Sequence, residues 1–588
     1  MMIQPFKIQS LNKFILLVLT LLSLQTINAQ KNIQLKVSGN ENISNEKYQN
    51  WIDENKSSFT NVNADSVLFI KIKKVIFSSL MQGGYYNSKI NILSVDTTTS
   101  QKSKFVSLII DEGNQTVIKN IELRPKNVFD SLLQKKYFFH LLNEIFYQTE
   151  LQSQIDECLI SLENKGFPFA SIKIESLVFD STDEINFVDV NLLVEKNILS
   201  TIEKVEIVGN AKTKKGVILN AIRLNKGSNY SQNRIDEIPI LLNRLRFFEP
   251  VEKPTYYLNS KEEGILKITV KEKSTNNFDG IIGYVPASKS NDKGFFTGFV
   301  NISLRNILGT GRAAGIKWQQ ENRSTQELQL KYLEPWLFNF PVNLNLHLFQ
   351  RKQDSSFVKR IYGGNLDYLA TENITASLIV ESESVIPSIS NTSIQNSNSF
   401  NTGFRLQLDY RDDIFVPQNG YFFSTSYKFK LKKENISNTN NLNIQEYALD
   451  FAIYHSLFTN QVAALGVHAK EMIGDVFNES NYFRIGGANS IRGYREQQFF
   501  GNRILWSNLE YRFLLSQRSY VFLFYDLGYY LQNENKLYNV LRNSEYKSGY
   551  GLGLSIETAL GIMRVGYALE TGNSFSDGLI HFGLVNDF

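Results

Sequence analysis

The alternation of apolar and polar residues through the second half of the chain most constrains how this protein can fold. From about residue 275 to 588, short segments switch between the two kinds of side chain at successive positions. In 342–348, 404–410 and 447–453, Leu, Phe, Tyr, Ile or Val alternate with Asn, His, Arg, Gln, Asp or Ala. Because a β-strand directs successive side chains to opposite faces, this pattern predicts strands with one apolar face.

The number of such segments indicates a closed sheet. Strands of about 10 residues would leave roughly 10 residues for each connection, as in membrane barrels with an apolar outer face and a polar lumen. We therefore predict a 16-stranded antiparallel transmembrane β-barrel over residues 274–588. Its candidate strands begin near residues 276, 294, 312, 325, 342, 356, 373, 399, 420, 444, 460, 502, 518, 547, 560 and 578.

The first 29 residues have the pattern of a secretory signal peptide. Lys7 and Lys13 precede an apolar run over 14–24, and Ala29 supplies a small residue at the expected cleavage site. The run is well short of the roughly 20 residues that a spanning helix needs. We therefore expect residues 1–29 to direct export and then to be removed.

Composition excludes several classes of function. Lys and Arg total 62 and Asp and Glu total 58, so a net charge of +4 over 588 residues gives no basic footprint for nucleic acid. The single cysteine, Cys158, excludes an internal disulfide and a cysteine-based zinc cluster. The five histidines form no metalloprotease motif, and no hydrolase motif is present, so we expect no enzyme activity, cofactor or metal.

The segment between the signal peptide and the barrel contains a threefold repeat. A helical pattern in each unit ends near Gly84, Gly166 or Arg246, and these positions are 82 and 80 residues apart. One strand opens each unit, and two strands follow the helices. We therefore predict three α+β domains, with the borders 30–114, 115–199 and 200–273.

These units resemble POTRA domains, the small periplasmic modules that bind polypeptides by adding a strand to an exposed sheet edge. The resemblance implies a periplasmic location and a polypeptide ligand for this part of the chain. Arg246 stands where the other two units have glycine. We therefore expect the helix of the third unit to be capped differently.

The most specific motif lies between the eleventh and twelfth predicted strands, in a segment that we call loop six (about 472–501). It reads Phe-Arg-Ile-Gly-Gly-Ala-Asn-Ser-Ile-Arg-Gly-Tyr over 483–494. This resembles the loop-six signature of the BamA/TamA-type superfamily of outer-membrane assembly and translocation barrels, also called the bacterial surface antigen family. In that family the loop folds back into the lumen. The matching residues are Gly486, Gly487, Ile491, Arg492, Gly493 and Tyr494.

The resemblance implies that Arg492 meets an acidic residue on the inner barrel wall. Asp526 is polar in the strand 521–529, where alternate positions are apolar, so it should face the lumen. Gly528 lies on the same face and would leave space for a close backbone. We predict an ion pair between Arg492 and Asp526, with Glu510 as the second choice of partner. In isolation, Arg-Gly-Tyr would equally fit a tight turn.

The final strand resembles the C-terminal targeting strand of outer-membrane barrels. It places Ile580, Phe582, Leu584 and the terminal Phe588 on one face. Asn586 interrupts that face, so the match is incomplete. An ordinary edge strand ending in Phe has the same pattern, but the signal peptide and the sixteen strands favour the targeting strand.

The resemblance implies an assembly or translocation factor in the outer membrane of a Gram-negative bacterium, with its N-terminal domains in the periplasm. The POTRA-like domains would capture unfolded outer-membrane or secreted polypeptides, and the seam between the first and last strands would aid insertion or export. Outer-membrane lipid and a periplasmic or inner-membrane accessory protein would be further partners. Three repeats rather than five make the chain more similar to TamA than to BamA.

Two alternative functions remain at this point. A transporter of the two-partner-secretion type would export one specific polypeptide through the lumen. A passive porin would let small solutes through, but the periplasmic repeats argue against it.

Overall fold

The computed structural model defines two compact units, residues 1–200 with 229–232 and residues 201–228 with 233–588. The predicted signal peptide and Phe588 lie outside the residues that the structure describes. Those residues are 32–59, 65–97, 103–125, 128–182, 185–286, 294–320, 322–354, 356–388, 394–434, 442–474, 477, 480–534, 540–558 and 561–585.

The first unit contains two α+β modules, each built on a three-stranded sheet. In each sheet the central strand is parallel to the opening strand and antiparallel to the other edge strand, in the orders β1-β3-β2 and β4-β6-β5. The elements are β1 (Asn32–Ser38), α1 (Asn45–Glu54), α2 (Asp65–Gln82), β2 (Lys89–Thr97), β3 (Ser103–Asp111), β4 (Thr116–Arg124), α3 (Val128–Leu133), α4 (Gln148–Asn164), β5 (Ser171–Ser181) and β6 (Asn186–Glu195).

Each module is held together by one apolar face of its main helix. In α2 the buried residues recur every four positions, at Leu68, Ile72, Ile76 and Leu80, and this face packs in one core with the central strand β3. In α4, Cys158 is fully buried in the equivalent core, where it packs as a small apolar side chain. These stripes explain why the sequence forms helices over a sheet.

A third module of the same kind opens the second unit. Its strands and helices are β7 (Thr201–Ile202), β8 (Lys204–Val208), α5 (Lys215–Ile222), β9 (Ser228–Asn229), α6 (Gln232–Arg244), β10 (Thr255–Leu258) and β11 (Gly264–Thr269). The central strand β11 is parallel to β8 and antiparallel to β10. The three sheets confirm the predicted α+β repeat.

The three repeats share a left-handed residue after the helix, but they differ in one hydrogen bond. Tyr85 N donates to the Leu80 oxygen and Phe167 N to the Leu162 oxygen, and the described residues of the third repeat have no counterpart of these bonds. Gly84 and Gly166 have φ angles of 88° and 99°, and Arg246 has a φ of 63°. All three are therefore left-handed, a conformation that is costly for a residue with a side chain. The Arg246 guanidinium lies 4.6 Å from the centre of the Phe415 ring, a contact that glycine could not make.

The first and third modules also share an acidic cap, which the sequence analysis did not identify. Glu112 accepts backbone hydrogen bonds at the start of the first module, including one from Ile43 at 3.0 Å. Glu272 does the same in the third module, accepting from Thr213 N at 2.6 Å and from Lys212 N at 3.0 Å. Burial alone would raise the pKa of Glu272, but these hydrogen bonds outweigh it and hold that pKa below its usual value.

The rest of the second unit is one antiparallel sheet of sixteen strands, which confirms the predicted fold class. Each strand pairs with the next along the sheet. The strands are β12 (Asn277–Val285), β13 (Phe295–Ile307), β14 (Arg312–Gln320), β15 (Gln326–Glu334), β16 (Val342–Gln353), β17 (Phe357–Leu369), β18 (Ile374–Pro387), β19 (Ser397–Asp409), β20 (Gly420–Glu434), β21 (Leu442–Phe458), β22 (Gln461–Ile473) and, after the short β23 (Phe483–Ile485) and β24 (Phe499–Gly501), β25 (Arg503–Ser516), β26 (Ser519–Gln532), β27 (Asn543–Thr558), β28 (Gly561–Glu570) and β29 (Leu579–Val585).

Strand β26 illustrates how the two faces of this sheet differ. Its outward residues between Val521 and Leu527 are apolar and exposed, from 39% at Val521 to 59% at Leu523. Its inward residues are buried, and they include Asp526, whose exposed fraction is 0%. The sequence alternation therefore separates an apolar outer face from a lumenal face that carries charge.

The two end strands bound the seam of the barrel. Within the described residues, β12 pairs only with β13 and β29 pairs only with β28. β29 is also short, at 7 residues against 14 in β26. In the described part of the chain, no helix has both the length and the hydropathy that crossing a bilayer requires.

Candidate functional site: loop six and the inner barrel wall

Loop six lies between β22 and β25 and places its central residues inside the barrel. The short strands β23 and β24 pair with each other and form the base of a hairpin. Beyond this base, Gly486 and Gly487 adopt φ angles of 116° and 98°, which only glycine adopts easily. A Cβ atom on Gly487 would lie 2.2 Å from the Glu496 carboxyl carbon. The two glycines therefore permit the turn that carries Ile491 to Tyr494 inward.

Arg492 contacts both of the acidic residues that the sequence singled out. Its Nη2 lies 2.7 Å from Asp526 Oδ1 and its Nε donates to Asp526 Oδ2 at 2.8 Å. Its Nη1 lies 2.6 Å from Glu510 Oε1, and its backbone N–H also donates to Asp526, at 2.9 Å. The Arg492 to Asp526 contact is bidentate, a geometry that fixes orientation as well as charge.

Neighbouring side chains use the remaining hydrogen-bonding capacity of the two carboxylates. Arg512 donates to Glu510 Oε2 at 2.7 Å and 2.9 Å. Asn508 donates through Nδ2 to Asp526 Oδ1 at 2.8 Å and to the Ser490 backbone oxygen at 2.7 Å. Two cations therefore face two anions in a buried cluster, and hydrogen bonds offset part of the cost of burying these charges.

Two aromatic rings on the inner wall support Arg492, and the sequence analysis did not identify them. The Arg492 guanidinium carbon lies 3.7 Å from the centre of the Phe524 ring and 5.7 Å from that of Phe522. These rings lie over Gly551 and Gly553 of β27, where a Cβ would come within 2.8 Å and 2.3 Å of them. A cation over an aromatic face in a desolvated position is stabilised further.

Glycines in the wall also admit the loop itself. The space above Gly528 is filled by the Ile491 side chain, since a Cβ there would lie 1.8 Å from Ile491 Cδ1. The close backbone approach expected at Gly528 occurs instead at Gly549 of β27. A Cβ on Gly549 would lie 1.9 Å from the Arg492 carbonyl oxygen.

The end of the motif, Gly493 and Tyr494, contacts the strands β27, β28 and β29. Gly493 has a φ of 96°, and a Cβ there would lie 2.9 Å from the Leu569 backbone of β28. Its N–H donates to His581 Nε2 of β29 at 3.1 Å. The Tyr494 hydroxyl donates to the Ser548 carbonyl oxygen at 3.1 Å. The contacts of the motif with the barrel wall therefore extend to the last strand, β29.

A second buried charge cluster lies on the opposite side of loop six, on β17 to β21. We call it the lysine–glutamate ladder, and it consists of Lys359, Glu381, Glu383, Lys428, Lys430, Lys432, Glu434 and Glu446. Lys430 lies 2.6 Å from Glu446 and 3.8 Å from Glu383. Lys359 Nζ donates to the Ser480 carbonyl oxygen at 3.0 Å, so the ladder also holds the beginning of loop six.

The C-terminal strand presents the predicted apolar face outward. Ile580 is 75% exposed and Phe582 is 60% exposed on the outer side of β29. The backbone of Leu584 pairs with Met563 of β28. The role of this strand in targeting stays a prediction.

The third α+β module contacts the adjacent end of the barrel through arginines of α5 and α6. Arg244 donates to the Glu372 carbonyl oxygen at 2.9 Å, to Asn373 Oδ1 at 2.8 Å and to the Asp409 carbonyl oxygen at 2.9 Å. Arg223 donates to the Leu369 carbonyl oxygen at 2.9 Å. A cavity of about 1240 Å³ lies between these helices and the strand turns.

Another cavity, of about 1140 Å³, lies within the lumen beside loop six. Its lining includes Arg484, Arg492, Glu496, Arg512 and His581. Among the described residues, no group of three or more His, Cys, Asp or Glu side chains is arranged to hold a metal ion. The ion pairs and hydrogen bonds of Arg492 hold loop six against the wall.

Two family models match segments of the second unit. A model described as the Omp85 superfamily domain matches residues 306–588. A POTRA model, described as the surface antigen variable number repeat, matches residues 200–273.

Curated relatives match this chain at low identity. The outer membrane protein assembly factor BamA of Nitratidesulfovibrio vulgaris is 23% identical over 474 residues, which cover 73% of this chain and 56% of that protein. BamA of Neisseria meningitidis serogroup B is 19% identical over 278 residues, which cover 46% of this chain and 33% of that protein. The chain thus spans about half the length, or less, of these relatives.

The structure of BamA from Haemophilus ducreyi lacking POTRA domains 1–3 is 17% identical, with a TM-score of 0.45, over 79% of this chain and 97% of that one. That of CdiB from Escherichia coli is 12% identical, with a TM-score of 0.47, over 87% of this chain and 96% of that one. In this chain the matched Omp85 superfamily domain follows the matched POTRA repeat, with residues 274–305 between them. Residues 306–588 therefore form a domain of the Omp85 superfamily, preceded by a POTRA repeat, and the barrel resides in the outer membrane with the N-terminal domains in the periplasm.

Proposed function

We propose that this protein assists the assembly or translocation of polypeptides at the outer membrane, without enzymatic chemistry. Its POTRA-like domains capture unfolded outer-membrane or secreted polypeptides, and the seam between β12 and β29 aids their insertion or export. Outer-membrane lipid and a periplasmic or inner-membrane accessory protein are its further proposed partners. We retain 30–114, 115–199 and 200–273 as the proposed POTRA borders, ahead of a barrel over 274–588.

The observation that carries this proposal is the set of open sheet edges in the three α+β modules. In the described residues, the edge strands β2, β5 and β10 each pair with one neighbour only. β5 also exposes apolar side chains at its edge, with Ile174 at 39% and Val178 at 51%. An exposed edge strand offers a row of backbone donors and acceptors, to which an extended polypeptide can add as a new strand.

The seam supports the second step of the proposal. An ordinary barrel closes on itself and leaves no strand edge. Here the end strands β12 and β29 are not paired with each other in the described residues. A nascent strand could therefore pair with either edge before it leaves the barrel.

Loop six is proposed to position the wall beside this seam. Its motif residues Gly486, Gly487, Ile491, Arg492, Gly493 and Tyr494 would act with Asp526, Glu510 and Gly528 as one positioning site. The name BamA of the two relatives, an outer membrane protein assembly factor, supports an assembly role. The greater similarity to TamA stays a prediction from the number of repeats.

Depletion of the protein from its host tests the proposal. If the protein is an assembly factor, several unrelated outer-membrane proteins should fall in abundance together. Loss of one secreted polypeptide, with outer-membrane proteins unchanged, would instead favour the dedicated transporter. A large steady conductance of the purified protein, together with no depletion phenotype, would contradict both and favour a porin.

A further inference from the structure

The loop-six motif crosses five neighbouring strands in their sheet order. Arg492 binds Glu510 of β25 and Asp526 of β26, and its carbonyl oxygen lies over Gly549 of β27. Gly493 then lies against the Leu569 backbone of β28. The last contact in this series is the hydrogen bond from Gly493 N–H to His581 Nε2 of β29, at 3.1 Å. Among the described residues, the hydrogen bond from loop six to the seam strand is made by the His581 side chain.

The surroundings of His581 favour this contact over alternatives within the wall. Its partner in the sheet register is Gly566, which has no side chain to compete for the ring. A Cβ placed on Gly566 would meet nothing closer than the Leu552 carbonyl oxygen at 3.7 Å. Along β29, Ile580 and Phe582 point outward and Gly583 has no side chain. His581 is thus the one polar side chain on the lumenal face of β29 among those described.

The direction of the hydrogen bond fixes the state of the imidazole ring. Because a backbone N–H can only donate, Nε2 must accept and carries no proton. The neutral ring then has its proton on Nδ1. A side chain with an acceptor at this position can hold Gly493, and an apolar side chain cannot.

We propose that His581 is a positioning residue that couples the last strand of the barrel to loop six. Displacement of β29 at the seam must either break the bond to Gly493 or move loop six with it. His581 thereby links the state of the seam to the position of the Arg492 motif. Only the biological consequence of this coupling, control of strand release, rests on the proposed function.

Spin-label distances in the purified, detergent-solubilised full chain test the coupling. In a Cys158→Ala background, Asn489→Cys labels the exposed part of loop six, and Ile580→Cys labels the outer face of β29. The control pair replaces Ile580→Cys by Leu552→Cys, on the outer face of β27. His581→Leu and His581→Gln are compared because they are similar in size and only Gln offers an acceptor oxygen.

With His581→Leu, we expect the Asn489–Ile580 distance distribution to gain a second, broader population, while the Asn489–Leu552 distribution stays as in the parent. His581→Gln should keep both distributions narrow. An unchanged Asn489–Ile580 distribution in His581→Leu, or equal broadening of both pairs, would overturn the proposal. If His581→Leu does not fold, His581→Ala carries the same prediction. A missing depletion phenotype would remove the proposed function but leave these distances as they are.

Discussion

The two buried charge clusters of the barrel differ in how their partners are shared. In the Arg492 cluster, one guanidinium from a loop holds Asp526 and Glu510 on two strands of the wall. In the lysine–glutamate ladder, both partners of each pair belong to the wall, and two of the four carboxylates, Glu383 and Glu446, each pair with two lysines. Glu383, for example, lies near Lys359 and Lys430. In the first arrangement, the loop is held to both carboxylates through Arg492. In the second, Glu383 and Glu446 each have a second lysine.

This difference indicates which buried charges position loop six and which support the wall. Both clusters are buried, so neither burial nor charge distinguishes them. The distinguishing features are that Arg492 comes from a separate segment, and that glycines and aromatic rings in β26 and β27 accommodate it. We therefore expect changes around Arg492 to move loop six, and changes within the ladder to affect mainly stability.

Charge reversal at Arg492 should have the largest effect. Arg492→Glu places a third carboxylate beside Asp526 and Glu510, and loss of one partner of a buried pair costs about 3–5 kcal/mol. We expect lower stability in urea unfolding from detergent micelles, and loss of complementation in a depletion strain. Addition of Asp526→Arg should restore part of both.

Arg495→Glu is the matched control, because Arg495 is exposed three residues further along the same loop. This change should leave stability and complementation near the parental level. Equal damage from both reversals would show that net loop charge, rather than the buried pair, is what matters.

Gly549→Ala should displace loop six without changing any charge. The new Cβ would lie 1.9 Å from the Arg492 carbonyl oxygen, so the loop backbone has to move. Overpacking of this kind costs about 1–3 kcal/mol. The loop should become more sensitive to added protease, as followed by gel electrophoresis of the purified protein.

Gly583→Ala controls for the glycine substitution itself, since a Cβ at Gly583 has nothing within 4 Å. It should leave protease sensitivity unchanged. Normal protection of loop six in Gly549→Ala would mean that the Arg492 backbone does not lie against β27.

Removal of one ladder lysine should have the smallest effect. In Lys430→Met, Glu383 keeps Lys359 at 3.0 Å and Glu446 keeps Lys428 at 3.8 Å. The expected loss of unfolding free energy is therefore only about 1 kcal/mol, near the contribution of a single hydrogen bond. Urea unfolding measures this loss, and protease protection of loop six should be unchanged.

Lys359→Met separates the two roles of the ladder. Lys359 also donates to the Ser480 carbonyl oxygen, so its removal should loosen the beginning of loop six. Equal loosening of loop six by Lys430→Met and Lys359→Met would mean that the whole ladder positions the loop. This would contradict the proposed difference between the ladder and the Arg492 cluster.

The fold was largely predictable because its signals are local. Period-two alternation identified the strands, and strand parity placed Asp526 and Glu510 on the lumenal face. The spacing of Gly84, Gly166 and Arg246 identified the repeats. At Arg246, residue type predicted a different cap, but the backbone kept the left-handed conformation and the side chain gained a contact with Phe415.

The rest of the site depends on register between strands, which a single sequence does not contain. The pairing of Lys430 with Glu446 depends on the register between the neighbouring strands β20 and β21, and the contact of Gly493 with His581 joins segments 88 residues apart. One signal was available: Gly549, Gly551 and Gly553 alternate on one face of a strand. Such a row of glycines predicts close approach of other groups, here the Arg492 backbone and two aromatic rings.

A double-mutant cycle is the most direct test of the buried ion pair between Arg492 and Asp526. Arg492→Met, Asp526→Asn and the double variant are unfolded in urea from the same detergent, and the coupling free energy is taken from the four stabilities. We expect a coupling free energy of about 2–3 kcal/mol, as for residues in one buried network. Additivity within about 0.5 kcal/mol, the behaviour of independent sites, would contradict it.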